Sequence, residues 1–460
     1  MKFGVAMADL ALVVLAAGMG TRMKSSLPKV LHKIAGRSML AHVLHAGRSL
    51  GASKAVVIHG PDMMAVQKEA SAIIKTCSFA EQKERLGTGH AVSMAGEALV
   101  GFSGTVLVLY GDVPLIQPET LKSLLGKLNA KTKMAVLGFE AGNPRGYGRL
   151  IGNSKSITDI REELDASPKE RKIKLCNSGI IAIDNALLWK IIPKLSNRNA
   201  KGEYYLTDLV KLASKAKTNV ALALCDEVEV AGVNDRSQLS VLERAFQRES
   251  RRAAMLGGAT LIDPDTVYFS ADTKLGKDVV IEPNVVFGPG VTIGDGVEIL
   301  AFSHIEGALV HDGARIGPFA RLRPGAEIGV SAHIGNFVEI KKAKIGKGAK
   351  ANHLAYIGDA VVGAGSNIGA GTITCNYDGY EKHLTEIGEN VFVGSNTALV
   401  APVKIGAGVN IGAGSVITAD VPEDALAMSR SPQEIRQGWA KRYRTLKLQR
   451  KADKAKSKGA

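Results

Sequence analysis

The stretch LGKDVVIEPNVVFGPGVTIGDGVEILAFSHI, residues 275–305, places an apolar side chain at every sixth position: Leu275, Ile281, Phe287, Ile293, Ile299 and Ile305. After a one-residue slip the period resumes at Val310, Ile316, Leu322, Ile328, Ile334 and Ile340. Further slips lead through Ile345 and Ile357 to Val362 and Ile368, and after an insertion the series ends at Ile387, Val393, Leu399, Ile405, Ile411 and Ile417. A six-residue period kept up over ~140 residues predicts a parallel β-helix, in which one apolar residue per short strand stacks inward and small residues turn the corners. Gly follows many of these positions, as in Ile293-Gly294 and Ile411-Gly412. Such a stack is built by repetition and needs few rings, which accounts for 51 glycines and only 5% aromatic residues in the chain. The break near Thr374–Glu386 reads as an external loop, and a loop the scaffold does not need is a place for function.

Working outward, Ser237–Leu256 carries Leu239, Leu242 and Phe246 at helical spacing, with Asn234 and Asp235 ahead, Arg248, Arg251 and Arg252 late, and Gly257-Gly258 behind. These are the start and stop signals of a connecting helix. Before it, short apolar runs (Leu12–Leu15, Ala55–Ile58, Val106–Leu109, Met134–Phe139, Ile180–Ile183) alternate with helical periodicities. That alternation predicts an α/β unit with an open, mostly parallel sheet. The expected organisation is an α/β domain over 1–236, a helical linker over 237–257, a β-helix over 258–440 and a basic, flexible tail over 441–460.

With 460 residues the chain is long enough for two or three self-sufficient cores, which excludes a small disulfide scaffold. Cys77, Cys176, Cys225 and Cys375 lie far apart and show neither a zinc spacing nor a disulfide framework, so a reducing cytoplasm is the expected location. The apolar opening Phe3–Met19 is interrupted by Asp9 and runs into a Gly-rich turn, so Ala11–Ala17 is read as a buried strand rather than a leader. No run is long and apolar enough for a transmembrane helix. The net charge of +15 is concentrated in Ala440–Ala460, where nine Lys/Arg stand against Asp453 alone. A tail of this kind either is a solvated terminus or holds a polyanion; its one aromatic, Tyr443, offers no stacking platform, and no nucleic acid partner is expected.

LAAGMGTRM at 15–23 follows the first strand and puts Gly18 and Gly20 where backbone N–H groups can approach phosphate oxygens, or where a plain strand-to-helix turn is made. Met23 stands in place of the third Gly of the dinucleotide fingerprint. Arg22 and Lys29 add two cations suited to a triphosphate. Asp112 of YGDVPL lies at the carboxyl end of the strand Val106–Leu109, where open sheets bind ligands and where a carboxylate suits Mg²⁺ or simply caps a turn. In the repeat half, Arg321 and Arg323 of ARLRPG, Glu339, Lys341 and Lys342 of GNFVEIKKA, and His353 and Tyr356 of KANHLAYIGDA depart from the repeat. Residues ~18 apart stack in a three-sided coil, so Arg323, Lys341 and the His353–Tyr356 neighbourhood are expected in one cluster. Its cations suit a sugar phosphate and its His a proton acceptor, with Glu339 expected to orient His353.

From about Leu10 to Arg430 these motifs resemble the bacterial bifunctional N-acetylglucosamine-1-phosphate uridyltransferase/glucosamine-1-phosphate acetyltransferases. The resemblance implies a Rossmann-like nucleotidyltransferase joined to a left-handed β-helix. The enzyme would acetylate glucosamine 1-phosphate with acetyl-CoA, then join the N-acetylglucosamine 1-phosphate to UMP from UTP. For uridylyl transfer it implies Leu15, Ala16, Ala17, Gly18, Lys29, Gln82, Gly87, Thr88, Tyr110 and Gly111 on the nucleotide. Gly148, Glu162, Asn177 and Asn234 would surround sugar and phosphates, with Asp112 and Asn234 on Mg²⁺, while Arg22 and Lys29 serve catalysis. For acetyl transfer it implies His353 as the base and Arg323, Lys341, Tyr356 and Asn367 on the sugar phosphate. Ala370, Asn376, Tyr377, Ser395, Ala413 and Arg430 would hold acetyl-CoA. GEYYLTD at 202–208 also matches the family, whereas Leu164 of DIREELDAS stands where it usually has Lys. A homotrimer through the β-helices is implied as well. The competing reading keeps the nucleotidyltransferase and makes the β-helix a scaffold or regulator.

Overall fold

A computed structural model describes residues 9–153 and 156–456, so residues 3–8 of the apolar opening and Lys458 of the basic tail lie outside the described residues. By internal contacts the chain divides into two units: the residues up to Thr292 with His304–Gly307, and Ile293–Ser303 with the residues from Ala308 on.

The first unit is built on a mixed sheet with strand order Val220–Leu224, Met134–Glu140, Leu175–Asp184, Thr105–Tyr110, Leu10–Leu15, Lys54–His59 and Ser78–Glu81. All five expected apolar runs are strands of it. Leu10–Leu15 lies between two parallel neighbours and is buried on both faces: Leu12 and Val14 join one core cluster, Ala11 and Val13 the other. Burial on both sides removes the need for alternation, which is why the strand reads as an unbroken apolar run. Leu175–Asp184 departs from the parallel pattern, pairing antiparallel with both Met134–Glu140 and Thr105–Tyr110. A hairpin of Arg149–Asn153 and Ser156–Arg161 extends from it.

The connecting helix runs Arg236–Leu256, with the Asp235 carboxylate accepting the Gln238 N–H at 2.8 Å and Gly257 at its end. Its buried Gln247 donates from Nε2 to the Phe269 carbonyl at 2.7 Å and accepts the Phe269 N–H at 2.8 Å, tying the helix to the first coil. A polar residue inside an apolar stripe would be costly without such reciprocal bonds.

In the second unit very short strands stack in parallel. One face runs Glu298–Ile299, Arg315–Ile316, His333–Asn336, Lys350–His353, Asn367–Ile368, Phe392–Val393, Asn410–Ile411 and Leu426–Ala427. Ile316 pairs with Ile334, Ile334 with Ala351 and Ala351 with Ile368, all buried, so the apolar column is the core of a parallel β-helix. Glycine after the column residue is a steric requirement at Gly363 and Gly394, where a Cβ would stand 2.3 Å and 2.4 Å from the backbone of the next coil. The insertion leaves this stack between Cys375 and Thr385. The basic C-terminal stretch is helical over Trp439–Lys456, and its described side chains are exposed.

Candidate active sites

At the carboxyl ends of the central strands of the first unit, a cleft of about 270 Å³ is lined by Leu15, Ala16, Ala17, Gly18, Lys29, Gln82, Gly87, Thr88, Tyr110 and Asp112. Nine of the ten residues expected on the nucleotide therefore line one cleft, together with Asp112. Gly111 continues it, its N–H donating to the Leu15 carbonyl at 2.9 Å. The turn after the first strand closes tightly over Lys29: Gly20 has φ +61°, and a Cβ there would lie 2.5 Å from the Lys29 Cβ. Only glycine both adopts this conformation without penalty and leaves room for the lysine.

Lys29 Nζ meets Asp112 Oδ2 at 2.5 Å, both side chains being largely buried. Arg22 Nη2 donates to Asn234 Oδ1 at 2.9 Å, and the Val233 N–H donates to the Asp112 carbonyl at 3.1 Å, so the backbone segments that carry Asp112 and Asn234 run next to one another. The Asn177 N–H donates to the Gly148 carbonyl at 2.8 Å, and Gly148 lies against Glu162. Asn177 is buried, and its Oδ1 has no hydrogen-bond partner among the described residues. Tyr110 reaches this group: burial first, then the Glu162 charge, raises its hydroxyl well above the ordinary tyrosine value, so it stays a neutral donor.

Burial likewise raises the Glu162 carboxyl, offset in part by the Thr207 hydroxyl, which donates to Oε1 at 3.0 Å; Asp165 and Asp208 push the same way as burial. The folded state thus binds the proton more tightly than the unfolded one. Stability falls as pH rises from the ordinary glutamate value through the raised one, and above it the cost is complete. Glu162→Gln keeps an acceptor for Thr207 and removes the charge, so its thermal midpoint should exceed that of the parent at pH 8 and match it at pH 4. A gain of the same size at both pH values would show that charge burial is not the cause.

Two residues that the sequence reading did not assign also belong here. Arg85 lines the cleft and donates from Nε to the Ala17 carbonyl at 3.0 Å, and Thr207 holds Glu162. Thr207 stands inside GEYYLTD, already quoted, and Arg85 lies two residues before the expected Gly87, which was the available signal. Leu164 is 58% exposed, with its side chain in solvent. Burial pushes the thiols of Cys77 and Cys176 up to about 11 and that of Cys225 to about 12, so all three remain protonated at neutral pH.

In the β-helix, strand register stacks Arg321 on Glu339 and Glu339 on Tyr356. Glu339 is held by Arg323 Nη1 at 2.7 Å and Arg321 Nη1 at 3.6 Å. It does not orient His353 as expected; His353 Nδ1 instead lies 2.6 Å from Asn336 Oδ1, its neighbour in register on the previous coil. The amide oxygen can only accept, so Nδ1 carries the proton and Nε2 is left as the basic nitrogen. Lys341 stands 3.7 Å from Asp359, which in turn accepts from Asn376 Nδ2 at 2.5 Å. Lys382 of the insertion loop faces Lys341, and that contact lowers its ammonium below the ordinary lysine value. Asn367 lies in the His353 row of strands, pairing with Lys350.

The residues expected on acetyl-CoA form a column. The Asn396 N–H donates to the Ala370 carbonyl at 2.7 Å, and the Gly414 N–H donates to the Ser395 carbonyl at 2.8 Å. Arg430 Nη1 donates to the Ala413 carbonyl at 2.8 Å. Asn376 and Tyr377 open the insertion loop, which is pinned by Asp378: its carboxylate accepts from the N–H groups of Tyr380 and Glu381 and lies 2.8 Å from His383 Nε2.

Comparison with known proteins finds a different domain family for each half of the chain. Residues 12–174 match the MobA-like NTP transferase domain, and residues 272–307 and 384–419 match the bacterial transferase hexapeptide repeat. The bifunctional protein GlmU of Azorhizobium caulinodans is 54% identical over 432 residues, 94% of this chain and 96% of that protein. That of Paramagnetospirillum magneticum is 54% identical over 98% of this chain and all of its own length, and that of Rhodospirillum rubrum is 56% identical over 95% of this chain. The chain belongs to the GlmU family of bifunctional proteins. It is accordingly a bifunctional enzyme of UDP-N-acetylglucosamine synthesis, a uridylyltransferase and a glucosamine-1-phosphate acetyltransferase. GlmU membership also explains why two chemically unrelated clusters occupy one chain.

Proposed function

We propose that the two clusters divide the two activities between them, uridylyl transfer in the cleft around Lys29 and Asp112 and acetyl transfer around His353. In the first, a phosphate oxygen of N-acetylglucosamine 1-phosphate attacks the α-phosphorus of UTP. The bond to the bridging oxygen breaks and pyrophosphate leaves. This needs alignment and charge neutralisation more than a covalent intermediate, and Arg22 and Lys29 supply fixed positive charge. The residues fit Mg²⁺ in their chemistry: Asp112 supplies a carboxylate and Asn234 an amide oxygen from backbone segments joined by the Val233–Asp112 hydrogen bond, and a hard cation that keeps most of its water needs few protein ligands. When bound there it would add charge neutralisation on the phosphates.

In the second cluster, the amine of glucosamine 1-phosphate attacks the thioester carbonyl of acetyl-CoA. His353 Nε2 takes the amine proton and gives it to the departing sulfur as the carbon–sulfur bond breaks, which releases the coenzyme A thiol. Arg323 and Lys341 bind the phosphate, Tyr356 and Asn367 flank the sugar, and Ala370, Asn376, Tyr377, Ser395, Ala413 and Arg430 hold the coenzyme. The observation that carries this reading is the His353–Asn336 pair, which presents a basic nitrogen three residues ahead of the Tyr356–Glu339 pair that Arg323 holds. The test is to mix the protein with acetyl-CoA and glucosamine 1-phosphate, without UTP, and follow thiol release. Release that depends on the sugar phosphate supports a second active site, and none from protein that still makes UDP-N-acetylglucosamine reduces the β-helix to scaffold.

The reading extends to a cytoplasmic homotrimer assembled through the β-helices. No helix among the described residues is long and apolar enough to cross a membrane. Support for self-association comes from a ladder of half-exposed rings on successive coils, Phe302, Phe319 and Phe337, stacked at 4.9 and 5.1 Å. A contiguous apolar strip of this kind marks an interaction surface. Each ring sits on a left-handed residue, Phe319 at φ +55°, a conformation Asn accepts readily. Phe319→Asn should therefore fold and sediment at lower mass than the parent at micromolar concentration. An unchanged trimer would remove the ladder from the interface.

A further inference from the structure

One carboxylate of the acetyl-transfer cluster touches two residues assigned to different substrates. Asp359 Oδ2 accepts from Asn376 Nδ2 at 2.5 Å and stands 3.7 Å from Lys341 Nζ. The contact is sheltered, with the Lys341 and Asp359 side chains 15% and 18% exposed, so solvent screens the pair little. Asp359 also sits at φ +45°, a conformation that costs most side chains energy. The surrounding structure over-determines it. Ala360 pairs in register with Ala343 before it and Thr385 after it, and the Thr374 hydroxyl receives the Gly358 N–H at 2.8 Å. Without this carboxylate Lys341 would face Lys382 with no intervening negative charge, and Asn376 would lose the partner that fixes its amide.

We infer that Asp359 is a positioning residue for acetyl transfer, holding Lys341 of the sugar-phosphate subsite and Asn376 of the acetyl-CoA subsite against one another. The inference rests on the proposed roles of those two residues. It assigns Asp359 no contact with substrate; its effect passes through the ammonium of one neighbour and the amide of the other.

Two substitutions separate the two arms without disturbing the backbone, because both Asn and Gly accept a left-handed φ. Asp359→Asn keeps an acceptor oxygen for Asn376 and removes the charge beside Lys341, whereas Asp359→Gly removes both. In steady-state acetyl transfer, Asp359→Gly should raise KM for acetyl-CoA and for glucosamine 1-phosphate by about tenfold each, the scale of one substrate hydrogen bond weakened when Asn376 or Lys341 loses its anchor. Asp359→Asn should return KM for acetyl-CoA to within about threefold of the parent and leave that for the sugar phosphate raised. Uridylyl transfer by the same samples should equal that of the parent, which controls for folding. Unchanged KM values in Asp359→Gly, or both KM values raised alike in Asp359→Asn, would overturn the inference. Lys341→Met and Asn376→Ala are measured beside them. If these leave KM for the sugar phosphate and for acetyl-CoA unchanged, the subsite assignment itself has failed, whatever the Asp359 variants do.

Discussion

Asp112→Ala is expected to lower the turnover of UTP by about a thousandfold and to leave acetyl transfer at the parental rate, the scale seen when one preorganised charge of a transfer site is lost. In the structure Asp112 is the anion that fixes Lys29 at 2.5 Å across the nucleotide cleft. Truncation would free the lysine from its one geometry and remove the carboxylate proposed to hold Mg²⁺ together with Asn234. Phosphoryl-type transfer depends on aligning highly charged groups, so losing both falls on kcat more than on substrate binding. Asp112→Asn separates the contributions: its amide oxygen still accepts from Lys29, so any deficit shared with Ala reports the charge. The measurement is the initial rate of pyrophosphate release from UTP and N-acetylglucosamine 1-phosphate, with thiol release from acetyl-CoA assayed on the same preparation. Equal loss of both activities would refute separate sites, and full turnover of UTP would remove Asp112 from the chemistry.

How much of this was legible depended on whether the information is local in sequence. The hexad period is local, because each short strand contributes one inward residue; Ile316, Ile334 and Ile368 fall in one buried column as the period requires. The nucleotide cleft was legible for the same reason. Leu15–Gly18 and Tyr110–Asp112 are linear motifs at the ends of adjacent parallel strands, and pairing Leu15 with Tyr110 brings them together. What sequence did not give was direction and exact register. The antiparallel course of Leu175–Asp184 leaves no mark in composition, since a strand buried between two neighbours reads the same both ways. The partner of His353 was missed because coils differ in length. Ile316 to Ile334 spans one coil and Ile334 to Ala351 a shorter one, so a uniform spacing does not identify Asn336. Gln247 shows a third kind of limit: its burial follows from a bond to Phe269 on another element, which no periodicity of the helix announces.

His353→Ala is expected to lower kcat for acetyl transfer by about a hundredfold to ten-thousandfold, the range associated with a positioned general base, with uridylyl transfer unaffected. The direction of its pH dependence follows from the chemistry of the substrate. The amine of glucosamine 1-phosphate attacks only as the free base, and a variant without His353 must take whatever fraction solvent has already deprotonated. That fraction grows with pH, so the gap between variant and parent should narrow on going from pH 7 to pH 9. Asn336→Ala gives the complementary result. It leaves the imidazole in place but removes the acceptor 2.6 Å from Nδ1 that fixes which nitrogen is basic. Its loss in kcat should be smaller than that of His353→Ala, about tenfold for one hydrogen bond, and present across the same pH range. A pH-independent gap in His353→Ala would mean that the imidazole contributes binding or shape rather than proton transfer. The base would then have to be sought among the other groups proposed to face the sugar phosphate, such as Tyr356, stacked in register on Glu339.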